Sequence, residues 1–159
     1  CNIVKSYIQS SSKILDNLRI LNKDYIYEEK DNLIYNWIIR HSNALFTEFT
    51  NTIYNELFFF RLFIDYYNIT VSSNYNIIKK TSSSVIKDIT KFDNEFSRIQ
   101  KSISMTTRNL RDIYISFPLH IGLVMYYEDV LKLWKELEWI STPIYSLYDK
   151  FRNVQKPSK

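Results

Sequence analysis

The chain of 159 residues contains one glycine, Gly122, where a globular protein averages about 7 %. Glycine supplies the positive-φ corners of hairpins, phosphate loops and nucleotide-binding turns, so a sheet-rich fold is disfavoured and Walker-type or dinucleotide-binding loops are excluded. Prolines are also few, at positions 118, 143 and 157. Cys1 is the only cysteine, which rules out an internal disulfide and with it a disulfide-stapled secreted scaffold. Long apolar runs are missing too. The most apolar stretch, residues 57–71, carries Arg61 and Asp65 and is shorter than the roughly 20 residues that a transmembrane helix needs.

What remains is rich in helix-compatible apolar and aromatic residues, with 45 % hydrophobic, 16 % aromatic and 24 % charged. That composition fills a core and argues against global disorder. The most regular pattern is a ladder through Ile78, Ser82, Val85, Ile89, Phe92, Phe96, Ile99, Ile103, Thr106, Leu110, Ile113 and Phe117. Its steps alternate between four and three residues, the 3.5-residue seam of a long helix packed lengthwise on partners. Similar seams run through Val4, Tyr7, Ser11, Ile14, Leu18 and Leu21, through Ile34, Ile38, His41, Leu45, Phe49, Ile53, Leu57, Phe60, Ile64 and Tyr67, and through Leu119, Leu123, Tyr126, Val130, Trp134, Leu137, Ile140, Ile144, Leu147 and Phe151.

The sequence therefore predicts an all-α fold, an elongated antiparallel bundle of three long helices plus a shorter N-terminal helix with coiled-coil-like packing. It forms one domain over residues 1–159, which is also readable as a piece of a larger protein. The expected helices cover about residues 2–22, 31–68, 75–116 and 119–151, with short connections that force antiparallel neighbours. Asn22-Lys23-Asp24 is expected to end the first helix, and Pro143 to bend or split the last one at Ser141-Thr142.

Catalytic and metal chemistry have little to rest on. The two histidines, His41 and His120, have no companion ligand at helical spacing, and His41 on a seam reads as a half-buried residue bonded to a neighbour. The carboxylate pairs Glu28-Glu29, Glu128-Asp129 and Glu136/Glu138 read as solvated faces. No enzyme activity, cofactor, metal or small-molecule substrate is expected.

Two surfaces carry the functional expectation. Lys80, Lys87, Lys91, Arg98, Lys101 and Arg108 step by seven, four, seven, three and seven, in the period of the ladder but two residues, or about 200°, around the helix. Residues 79–111 hold eight basic and three acidic residues, although the whole chain is only +4. This stripe is a candidate anionic-surface site, for anionic lipid headgroups or for an acidic protein or nucleic acid. The aromatic run supplies a candidate docking surface for a protein partner at Phe58, Phe59, Phe63 and Tyr66. The expected role is a non-enzymatic scaffold or assembly module acting through protein–protein contact or self-association, with peripheral binding to an anionic membrane as a second element. Nucleic acid is disfavoured, because aromatics do not interleave with the stripe. The alternative is a surface lipoprotein, lipidated at Cys1, that binds a host or partner protein. The amphipathic pattern beginning at Ile3 leaves little room for a polar tether, so an intracellular location is slightly favoured.

Overall fold

A computed structural model describes residues 2–28, 32–72, 82–116 and 121–155. They form α1 (Asn2–Glu28), α2 (Asn32–Ser72), α3 (Ser82–Ser116) and α4 (Ile121–Gln155), and every described residue is helical. With 41 residues, α2 is about 62 Å long, whereas α1 with 27 is about 41 Å. The expected hierarchy of one shorter and three longer helices is present.

Each helix lies against its sequence neighbours and α1 closes onto α4, while α2 also reaches α4 across the middle. Cross-contacts set the directions. Tyr7 meets Glu56 while Asn22 meets Ser42, so α1 and α2 are antiparallel. His41 meets Asn109 while Phe59 meets Phe92, so α2 and α3 are antiparallel. Tyr148 meets Asp93 while Tyr114 meets Tyr127, which gives the same result for α3 and α4. The result is a four-helix antiparallel bundle.

The seams bury as their spacing requires. Phe92, Ile99, Thr106, Leu110 and Ile113 of the ladder are buried, as are Val4, Tyr7, Ile14 and Leu18 of α1 and Leu123, Tyr126, Val130 and Leu137 of α4. Ser82, Val85 and Ile89 lie in α3 with side chains outside the described set, and Ile78 and Phe117 lie outside the described residues altogether.

Two expected breaks are absent. Asn22-Lys23-Asp24 does not stop α1, which continues through Tyr25–Tyr27 to Glu28. The reason is tertiary. Asn22 is buried, donates through Nδ2 to the Ser42 carbonyl at 3.3 Å and accepts from the Tyr126 hydroxyl at 2.7 Å. Its amide is thus spent between helices instead of capping its own, and packing overrides a weak local preference. Pro143 lies inside a continuous α4. It deprives the Trp139 carbonyl of its helical donor, and the residue is exposed, so its ring displaces nothing in the core. Thr142 does not cap a new helix. Its hydroxyl donates back to the Glu138 carbonyl, and that of Ser141 to Leu137, both at 2.8 Å.

Candidate functional site

The outer face of α3 is built from the residues two positions off its seam. Lys91, Arg98, Lys101 and Arg108 are all exposed. Lys87 lies in α3 with its side chain outside the described set, and Lys80 lies outside the described residues. Two neighbouring acids are engaged, Glu95 with the row itself and Asp93 with α4. Glu95 is buried beside Arg98, whose Nη1 is 3.7 Å from its carboxylate. Asp93 accepts from the Tyr148 hydroxyl at 3.2 Å and pairs with Arg152 at 3.0 Å. Asp112 is left as the exposed acid of this row. From Lys91 to Arg108 the row spans about 26 Å.

Apolar side chains share this face. Met105 stands one turn from both Lys101 and Arg108, and Ile115 continues the line; they are 49 % and 61 % exposed. Ile121 and Met125 at the start of α4, with Tyr114 beside them in the chain's antiparallel α3–α4 pair, are also exposed. Of the ten exposed large hydrophobics among the described residues, seven (Ile20, Tyr27 and these five) sit toward the end of the bundle where α1 and α3 finish and α4 begins.

The expected aromatic docking surface is corrected by the packing. Phe59 and Phe63 are completely buried. Phe59 has six aromatic rings within 6.3 Å, including Phe92 and Phe96 of α3 and Tyr145 and Tyr148 of α4. Tyr66 is half-buried, edge-on to Phe92 and Phe151 at 5.6 Å. Only Phe58 of that set is exposed, with Tyr54 one turn away. A helix that touches all three other helices can be apolar most of the way round without offering a free surface. Cys1, the proposed lipidation position, and His120 lie outside the described residues.

His41 is half-buried, as its seam position implies. Its ring lies 3.8 Å from that of Trp37, and its Nδ1 is 2.7 Å from Asn109 Oδ1. The Asn109 amide donates to Glu48 at 3.5 Å, and burial raises the pKa of that carboxyl against the hydrogen bond's lowering effect.

The group that sequence reasoning missed is Glu56. It occupies the buried face of α2 between Phe49, Thr52 and Ile53 on one side and Phe60 and Phe63 on the other, at 2 % exposure. Tyr7 of α1 donates to Oε1 at 3.2 Å and Tyr145 of α4 to Oε2 at 2.7 Å, while the Ser141 hydroxyl, whose hydrogen goes to the Leu137 carbonyl, lies beside the carboxylate. Burial pushes the Glu56 carboxyl up to about 7, although all three hydroxyls pull it down. Burial and then the Glu56 charge raise both phenols well above the usual tyrosine range. Its spacing is the signal that could have found it, since a carboxylate four residues before Phe60 and three after Ile53 must face the core.

Glu56 and Thr52 form the floor of a groove of about 470 Å³ between α3 and α4. Phe96, Ile99 and Ile103 line one wall, and Trp134, Leu137 and Tyr145 the other. Gln100 and Thr107 edge it from α3, facing Glu138, Thr142, Ser146 and Asp149 from α4. Among the described residues no three His, Cys, Asp or Glu side chains group in a way that could hold a metal ion, and no helix is long and apolar enough to cross a membrane.

No family model, no curated protein and no solved structure matches this chain.

Proposed function

We propose that the protein is a non-enzymatic helical interaction module that docks on an anionic bilayer through the outer face of α3. The observation that carries this reading is the coincidence, on one exposed line, of Lys101, Arg108 and their basic neighbours with Met105 and Ile115. A solvated helix face has no need of exposed methionine and isoleucine among its cations. A bilayer interface uses both, since basic side chains meet anionic headgroups while apolar ones enter the acyl boundary. The row runs about 26 Å along one helix, which suits an extended surface better than a concave pocket. At about 1 kcal/mol per basic residue near such a surface, Lys91, Lys101 and Arg108 supply about 3 kcal/mol, about a hundredfold in partitioning, Arg98 being partly neutralised by Glu95.

Vesicle sedimentation tests the proposal. Binding should require phosphatidylserine in a phosphatidylcholine vesicle and weaken with salt. The double variant Lys101→Glu/Arg108→Glu should lower affinity at least about tenfold. Met105→Ser should weaken binding while leaving its salt dependence intact. Equal binding to purely zwitterionic vesicles, or full retention of binding by the charge-reversed variant, would overturn the proposal.

A further inference from the structure

The groove between α3 and α4 has a charge opposite to that of the face behind it. Its lining includes the carboxylates of Glu56, Glu138 and Asp149 and no Lys, Arg or His, in a chain whose basic residues outnumber its acids by 21 to 17. Helix α3 thus turns cations outward, and the side chains it gives to the groove (Phe96, Ile99, Gln100, Ile103 and Thr107) are all uncharged.

Glu56 sharpens the contrast. Buried carboxylates are ordinarily compensated by a cation. Among the described residues no cation pairs with Glu56, and its two donors, Tyr7 and Tyr145, are neutral phenols. A carboxylate offers about four acceptor positions, and the two phenol donors Tyr7 and Tyr145 do not fill them. The walls above it are apolar and aromatic, with Phe96, Trp134 and Tyr145 presenting ring surface that attracts a cation through its quadrupole. A volume of about 470 Å³ lies in the range of small-molecule sites, which run from about 300 to 1,000 Å³.

We propose that this groove binds a small organic cation, an ammonium head on an aromatic or short aliphatic body, with the head directed to Glu56 and the rim acids Glu138 and Asp149. The acids select the charge, and the apolar walls take the body. An anion is rejected by the rim carboxylates Glu138 and Asp149. A neutral compound of the same shape gains the walls but leaves the carboxylate uncompensated.

Calorimetric titration of the whole chain with three compounds of one shape tests this: phenethylammonium, phenethyl alcohol and phenylpropanoate. The ammonium compound should bind in the millimolar range or tighter, the alcohol at least about tenfold more weakly, and the carboxylate not measurably. Glu56→Gln keeps an acceptor for the surrounding hydroxyls and should lose about tenfold in ammonium affinity. Glu138→Gln/Asp149→Asn alters only exposed rim positions, so it keeps the fold and should lose severalfold. Equal affinity for the ammonium compound and the alcohol would overturn the proposal. So would undiminished ammonium binding by the rim double variant, or no binding of the ammonium compound at all.

Discussion

Replacing Glu56 by Gln isolates the energetic effect of a carboxylate in the bundle core. The folded-state pKa of about 7 stands above the ordinary 4.5 because burial disfavours the charged form. The protonated form is therefore the one the fold prefers. Its contribution is complete below about pH 4.5 and is lost as pH rises through about 7. A lift from 4.5 to about 7 corresponds to roughly 3 kcal/mol. The wild-type chain should lose that much stability across the window, and the Gln variant should not lose it. Gln brings an amide donor toward hydroxyls that formerly donated, a penalty of about 1 kcal/mol, but this offset is the same at every pH. The diagnostic quantity is thus the change in the difference between the two proteins. Urea unfolding followed by far-UV circular dichroism, at intervals from about pH 4 to about pH 8.5, reads it directly. The Gln variant should gain about 3 kcal/mol relative to wild type over that range, near 9 °C in melting temperature for a domain of this size. Contributions from Glu48 and other titrating groups cancel in the comparison to the extent that they do not couple to Glu56. A difference that stays flat with pH would refute the reasoning, because Glu56 would then titrate as a solvated carboxyl.

Phe59→Ala should destabilise by about 3–5 kcal/mol in chemical denaturation, while Phe58→Ala should stay within about 0.5 kcal/mol, since only the former empties an aromatic cluster; similar effects would contradict the assigned faces of α2. Asn22→Ala leaves the Tyr126 hydroxyl and the Ser42 carbonyl without their partner, and should cost about 2–3 kcal/mol by the same assay. Pro143→Ala restores a donor to the Trp139 carbonyl at an exposed position and should stabilise by about 1–2 kcal/mol, the helix gain of about 3 being partly offset by greater freedom of the unfolded chain. Arg152→Ala removes an ion pair that is more than a third exposed at both ends and should change stability by less than about 1 kcal/mol.

The helical class was legible because a 3.5-residue ladder without glycine or proline has few other solutions. The buried face of α1 could be read from Val4, Tyr7, Ile14 and Leu18, and that of α3 from Phe92, Ile99, Leu110 and Ile113, for the same reason. Where each helix stops was less legible. Asn22 has the local preferences of a terminus, and only its two partners on α2 and α4 show why α1 continues past it. The orientation of residues 57–63 was ambiguous for a different reason. A helix that contacts three others is apolar around most of its circumference, so periodicity cannot separate exposed Phe58 from buried Phe59 and Phe63. The groove was invisible because no single segment encodes it. It exists where Gln100 and Thr107 of α3 face Thr142 and Ser146 of α4. The short polar side chains of Thr107, Thr142 and Ser146 cannot close an interhelical gap that larger apolar residues would fill.

Why the core admits so many polar groups follows from the regularity of the seams. Helices with a uniform heptad pattern can slide by seven residues, about 10 Å, and still match apolar to apolar. Here such a slide breaks specific ties along the rod. Asn22 with Tyr126 joins α1 to α4, His41 with Asn109 and Asn55 with Ser102 join α2 to α3, and Asp93 with Tyr148 joins α3 to α4. Glu56 with Tyr7 and Tyr145 joins three helices at once. A register shift would strand several of these groups together, at about 1–3 kcal/mol for each that stays buried. Apolar packing alone would not distinguish the registers by that much. A single register matters to both proposed surfaces. It holds the outer row of α3 toward solvent at a fixed rotation, and it sets Glu56 beneath the gap between α3 and α4 instead of one heptad away from it. The buried carboxylate that weakens the bundle at neutral pH is therefore also among the groups that define which bundle forms.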